Sequence, residues 1–152
     1  MTRAFVLLLI SLCASAQETE ADFTKRRLAE IWPLVRQDKY TEAVAGLRVL
    51  IAKARERLPA DSLETSRLLS LFVDCLLPLG RGDSDEALES SQVALRIKEK
   101  HLGSASPETA KASIRLAGRY VERYEFDRAL PILERVAAAA EAAANGSPGN
   151  AY

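Results

Sequence analysis

The residues best equipped for chemistry are few and scattered. One histidine, His101, and two cysteines, Cys13 and Cys75, stand in 152 residues. A tetrahedral metal site takes four ligands, and a nucleophilic triad takes a base held by a third group, so neither can be assembled from these residues. Cys75 is surrounded in sequence by Leu71, Phe72, Leu76 and Leu79. With no cation or helix start beside it to favour the thiolate, it reads as a small buried hydrophobe. His101 falls at the end of a helical stretch, where partial positive charge suits the helix dipole. Arg81-Gly82-Asp83 spells the tripeptide that integrins read, and Gly82-Asp83-Ser84 opens like a hydrolase nucleophile turn. A plain exposed turn, with Asp83 or Ser84 capping the next helix, explains both more simply. No GxSxG, P-loop, HExxH or CxxC occurs, so the sequence predicts no enzyme and no cofactor.

Cations offer binding instead. Lys25, Arg67 and Lys111 recur once per segment of the chain, Arg115, Arg119 and Arg123 follow in the last segment, and Trp32 lies near the first. On one helix face they would form a basic strip able to hold an acidic segment or C-terminal carboxylate, with Trp32 as an aromatic anchor. The plainer reading is a solvated face offset by Glu108, Glu122 and Glu125, and it weighs slightly more, because exposed ion pairs are weak. Lys+Arg and Asp+Glu both number 21, so there is no net positive field to attract nucleic acid.

The elements that carry these residues repeat. Tyr40-Thr41-Glu42-Ala43-Val44, Ser84-Asp85-Glu86-Ala87-Leu88 and Phe126-Asp127-Arg128-Ala129-Leu130 align, with 44 residues from Ala43 to Ala87 and 42 from Ala87 to Ala129. Each Ala opens a stretch whose apolar residues follow helical spacing, as in Ala43, Leu47, Leu50, Ile51 and Ala54. Asp61-Ser62-Leu63-Glu64-Thr65-Ser66 matches Ala105-Ser106-Pro107-Glu108-Thr109-Ala110, and Ser147-Pro148-Gly149-Asn150-Ala151 begins the pattern again. Ser106 suits an N-cap, Pro107 the first helical position and Glu108 the positive end of the dipole. Each unit therefore holds an A helix, predicted near 22–37, 63–79 and 107–124, and a B helix, near 40–57, 85–102 and 126–144. Leu79-Gly80-Arg81-Gly82-Asp83 is a helix stop, Pro78 should end its helix, and Pro33 should kink or shorten the first. Trp32, Tyr40, Tyr120, Tyr124 and Phe126 fall at packing positions. The expected fold is all-α, a right-handed solenoid of about three stacked antiparallel helix pairs over units 22–58, 63–102 and 107–144. One pair cannot bury its apolar face alone, so stacking builds the core.

Residues 1–16 differ. Arg3 precedes an apolar run from Ala4 to Leu12, broken by Ser11, and Ala14-Ser15-Ala16 supplies small residues for a peptidase. This reads as a secretory signal cleaved before Gln17, since the run is shorter than the roughly 20 residues a membrane span needs. The expected product is periplasmic or secreted, has no integral span, and keeps Cys75 as its one cysteine. Residues 145–152 read as a flexible tail or the start of a fourth unit.

These features resemble the tetratricopeptide repeat family. Leu116-Ala117, Tyr120, Phe126, Ala129 and Leu133 stand where that family carries packing residues. The 42-residue period, with Ile97-Lys98-Glu99-Lys100-His101-Leu102-Gly103 before Ser106-Pro107-Glu108-Thr109-Ala110-Lys111, resembles the kinesin-light-chain subtype. The Asn pair usual midway along that subtype's A helices is replaced by Leu28-Ala29, Ser70-Leu71 and Ile114-Arg115. The resemblance implies a scaffold that binds a protein or peptide through its concave face. The alternative is a non-catalytic recognition domain of a larger enzyme or signalling protein. Incomplete end-capping predicts weak self-association through Ala137–Ala144.

Overall fold

The computed structural model describes residues 20–145. The signal expected at 1–16 and the tail from 146 to 152 lie outside them. Six helices and no strands occur among the described residues: α1 (Glu20–Arg36), α2 (Tyr40–Arg57), α3 (Leu63–Leu76), α4 (Asp85–Leu102), α5 (Pro107–Glu122) and α6 (Phe126–Asn145). They form an all-α solenoid in which α1, α3 and α5 are A helices and α2, α4 and α6 are B helices. Each helix packs on its successor, and α1 also touches α3. No described helix is long and apolar enough to cross a membrane.

The A helices begin as their residues dictate. The Ser62 and Ser106 hydroxyls accept from the N–H groups of Thr65 and Thr109, each at 3.1 Å, and Pro107 stands at the first turn of α5. Ser84, rather than Asp83, caps α4 by accepting from the Ala87 N–H at 3.2 Å.

All three A helices end in one motif. The N–H of Lys39, Arg81 and Glu125 reaches back to the carbonyl of Leu34, Leu76 and Tyr120 at 2.9, 3.1 and 2.9 Å. The residue before each donor, Asp38, Gly80 or Tyr124, takes a left-handed φ of 55°, 66° or 60°. This closure satisfies carbonyls that a helix end otherwise leaves bare. It also explains why Pro33 does not shorten α1, which runs on to Arg36. Pro33 costs one bond, to the Ala29 carbonyl, and the closure secures the final turn. Pro78 does act as a stop: α3 ends at Leu76, not Leu79, yet the same closure forms at Gly80.

Burial follows the repeat. Thr65, Leu68, Leu69, Phe72 and Leu76 of α3 are buried, and so are Thr109, Ala112, Ser113, Leu116 and Tyr120 at the same positions of α5. Leu47, Leu68 and Leu76 are wholly enclosed, each worth about 2 kcal/mol of transfer from water. Not every expected core aromatic is inside. Tyr120 is buried and Tyr40 half-buried, but Trp32, Tyr124 and Phe126 are exposed. Tyr124 is carried outward by its left-handed turn and meets Phe126 edge-on, ring centres 6.1 Å apart. The Arg81-Gly82-Asp83 turn is less open than expected. Gly82 is buried, and a Cβ built on it would lie 2.8 Å from Leu77 Cδ2 and closer still to the Glu122 carboxylate.

Candidate partner-binding surface

The repeat register puts Lys25, Arg67 and Lys111 at one position of the three A helices, and Trp32, Asp74 and Gly118 at another position on the same side, seven residues on. Lys25, Arg67, Lys111, Arg115 and Trp32 are all exposed. Arg67 pairs with Glu64 one turn back on its own helix. Trp32 is 43% exposed, so much of its indole faces solvent.

Arg119 departs from the strip. It is 6% exposed and occupies the core position that Cys75 holds in α3, because residues 44 apart share a register there. Its guanidinium donates to Glu122 at 2.7 Å, while its Nε has no partner. Arg123 is a stitch between units. It donates to Glu125 at 2.7 Å, to Asp85 at 2.9 Å and to the Asp83 carbonyl at 2.7 Å.

The centre of the surface lies between α3 and α5. Arg115 donates to Asp74 at 3.0 Å, tying one A helix to the next. Lys98 enters from α4, 9% exposed, and its ammonium donates to Ser70 Oγ at 3.2 Å. The Ser70 hydroxyl in turn donates a hydrogen bond to the Ser66 carbonyl at 2.9 Å. Burial pushes the Lys98 ammonium below its usual range and the neighbouring Arg115 adds to this, with Asp74 and Glu108 opposing. Burial likewise pushes the Asp74 carboxyl up, against the pull of Arg115, Arg119 and Lys98. A partly desolvated cluster richer in cations than in carboxylates favours an incoming anion, since a low local dielectric strengthens each attraction.

On the other side, α2 and α4 stand apart over a cleft of about 640 Å³ floored by Leu69 and Phe72 of α3. Arg48 spans it, donating twice to Glu86 at 2.6 and 2.9 Å with its guanidinium 5.7 Å from the Phe72 ring centre. Neither surface pairs a nucleophile with a base. The Cys75 thiol is buried and pushed up by that burial, His101 bonds the Asp61 carbonyl at 2.7 Å, and no group of three metal-ligating side chains occurs among the described residues.

This fold has a solved counterpart. The chain is similar to the crystal structure of BtubC (BKLC) from P. vanneervenii, a kinesin light chain-like protein of the tetratricopeptide type, with a TM-score of 0.73 at 16% identity. The match covers 91% of this chain and 53% of that one, so this chain spans about half the solved structure's length. At that identity the likeness shows a tetratricopeptide-like helical repeat fold and nothing finer. No family model and no curated protein matches the chain.

Lys98, Ser70 and Asp74 are not singled out by residue type alone. A signal was available: Lys98 stands in the register of Ala54 and Ala140, where the other B helices carry a small apolar residue.

Proposed function

We propose that the chain is a non-catalytic scaffold that holds a peptide or protein partner along the concave face of its A helices, outside the cytoplasm. The observation that carries this reading is the cluster of Lys98, Arg115 and Asp74 between α3 and α5, flanked by exposed Arg67 and Lys111. Such a surface suits an acidic segment or a C-terminal carboxylate, and Trp32 at the far end offers an apolar anchor. The signal-like residues 1–16 support export to the periplasm or medium.

A second reading is a recognition domain of a larger protein. It is favoured by one fact, that the similar solved structure is about twice as long as the matched part. A pull-down from the native exported fraction, with the chain from Gln17 as bait, tests the first reading beside a Lys25/Arg67/Lys111→Glu triple variant. A discrete partner lost with the variant supports the acidic ligand. A partner that the variant retains moves the site elsewhere, and no partner for a folded bait favours the larger-protein reading.

A further inference from the structure

One cavity of the chain has the opposite charge sense to the concave face. It lies where the turn between α3 and α4 meets the end of α5 and the start of α6, and it measures about 460 Å³. Tyr124 and Phe126, Leu77 and Val121, and the acidic residues Asp83 and Glu122 line it. The four apolar side chains are all exposed, and the two rings stand at 84° to each other. No Lys or Arg is among the described residues that line the cavity.

Its two carboxylates are held differently. Arg119 pairs with Glu122 Oε1 at 2.7 Å, while Oε2 takes up the space that a Cβ on Gly82 would need. The Asp83 carboxylate has no partner among the described residues, because Arg123 takes the Asp83 carbonyl together with Asp85 and Glu125. The first turns of α4 and α6 border the cavity, and their dipoles alone would attract an anion. Those turns already carry Asp85, Glu86 and Asp127, so that attraction is met from within the chain.

The rings are not a by-product of the repeat. The positions of Tyr124 and Phe126 are held in the first unit by Asp38 and Tyr40, which bond each other at 2.8 Å. In the second they are held by Gly80, which closes α3, and Ser84, which caps α4. Tyr124 takes the left-handed conformation with a bulky side chain, where the other units use Asp or Gly. Strain kept at a side chain that packs on so little points to use of the ring rather than to folding.

We propose that this cavity binds a lysine or arginine of a basic peptide segment on a partner protein. The cation sits on the aromatic faces, the negative side of each ring quadrupole, and against the carboxylates of Asp83 and Glu122. Its aliphatic stem and an apolar neighbour cover Leu77 and Val121. This site differs from the concave face in both place and charge, and it does not rest on that reading.

Fluorescence anisotropy tests it, using the purified chain and labelled hexapeptides with one lysine or arginine and one leucine at every spacing. The same set with glutamate in place of the basic residue is the charge control. Basic members should bind, and their affinity should fall as salt rises. Tyr124→Gly should weaken them by about fivefold or more, the value of one cation–π contact. Glycine suits that helix closure, so the variant stays folded, which circular dichroism checks. Asp83→Asn should weaken the same peptides and flatten the salt dependence, whereas Val49→Ser, exposed on α2 away from the cavity, should change nothing. Glutamate peptides should be indifferent to Tyr124→Gly. The proposal is overturned if no basic member binds, if Tyr124→Gly and Asp83→Asn both leave the affinity unmoved, or if Tyr124→Gly weakens acidic and basic members alike.

Discussion

The Lys98 ammonium stands 3.2 Å from Ser70 Oγ at a position where the other two B helices carry alanine. Burial lowers its pKa from the usual 10.5, with Arg115 adding to the shift. The folded state therefore binds this proton less tightly than the unfolded chain does. Stability must rise with pH through the interval between the lowered folded value and 10.5, and the penalty is fully present below it. Lys98→Met removes the penalty while keeping the stem's packing. The variant should match or exceed the parent at pH 7, by up to about 1 kcal/mol, and the difference should shrink toward pH 10.5. Urea unfolding of both proteins across that range checks it. A variant clearly less stable at pH 7 would mean that the Ser70 bond outweighs desolvation.

Tyr124 adopts a φ of 60° and exposes 82% of its surface. A bulky L-residue in this conformation carries roughly 1 kcal/mol of strain that glycine lacks. The edge-on contact with Phe126 is solvent-exposed and offsets only part of it. Tyr124→Gly should therefore raise the unfolding temperature by a few degrees, roughly 1 kcal/mol less the lost ring contact. The same change at Asp38 should gain less, because the Asp38 carboxylate accepts from the Tyr40 hydroxyl at 2.8 Å.

These two residues mark where the sequence was legible and where it was not. Ser62, Ser106, Pro107 and Gly80 are residue types whose local chemistry dictates a cap or a stop, and the helices obey them. Asp38 and Tyr124 close their helices identically; Asp tolerates that conformation, but propensity argues against a bulky Tyr in it, and only the repeat register points to Tyr124. Register also explains the surface. Arg119 reads as one more cation of a strip, yet it shares the core position of Cys75 and pairs inward with Glu122. Lys98 reads as a solvated helix residue, yet it fills a core position and reaches Ser70. Charge type alone does not tell which side of a helix a residue occupies, whereas the units on either side do.

The last helix is under-filled on its inner side as well. Ala139, Ala140 and Ala143 line a space of about 320 Å³ opposite Pro107 and Ala110. The position of Ala139 is held in α4 by Ile97, which is 3% exposed. Ala139→Ile should fill part of that space and stabilise the chain by about 1 kcal/mol, the value of a few buried methylene groups. Slower amide exchange in the second half of α6 would be the specific sign. Faster exchange or a lower unfolding temperature would mean that the added volume pushes α6 from α5.

Leu47 and Leu133 occupy one position of the repeat, wholly enclosed in the first unit and 39% exposed in the third. The side chain is the same, so the cost of deleting it isolates the neighbour. Leu47→Ala leaves a cavity against α3 and should cost about 2–5 kcal/mol. Leu133→Ala opens no cavity and should cost less than about 1 kcal/mol when measured in dilute solution. If a second copy covers α6, the two values diverge with concentration: Leu133→Ala becomes more costly as the parent gains stability by mass action, whereas the Leu47→Ala cost, expressed per monomer, stays fixed. Denaturant midpoints of the three proteins at low and high concentration separate these cases. A Leu133→Ala cost near that of Leu47→Ala in dilute solution would place a packed neighbour on α6 within the single chain.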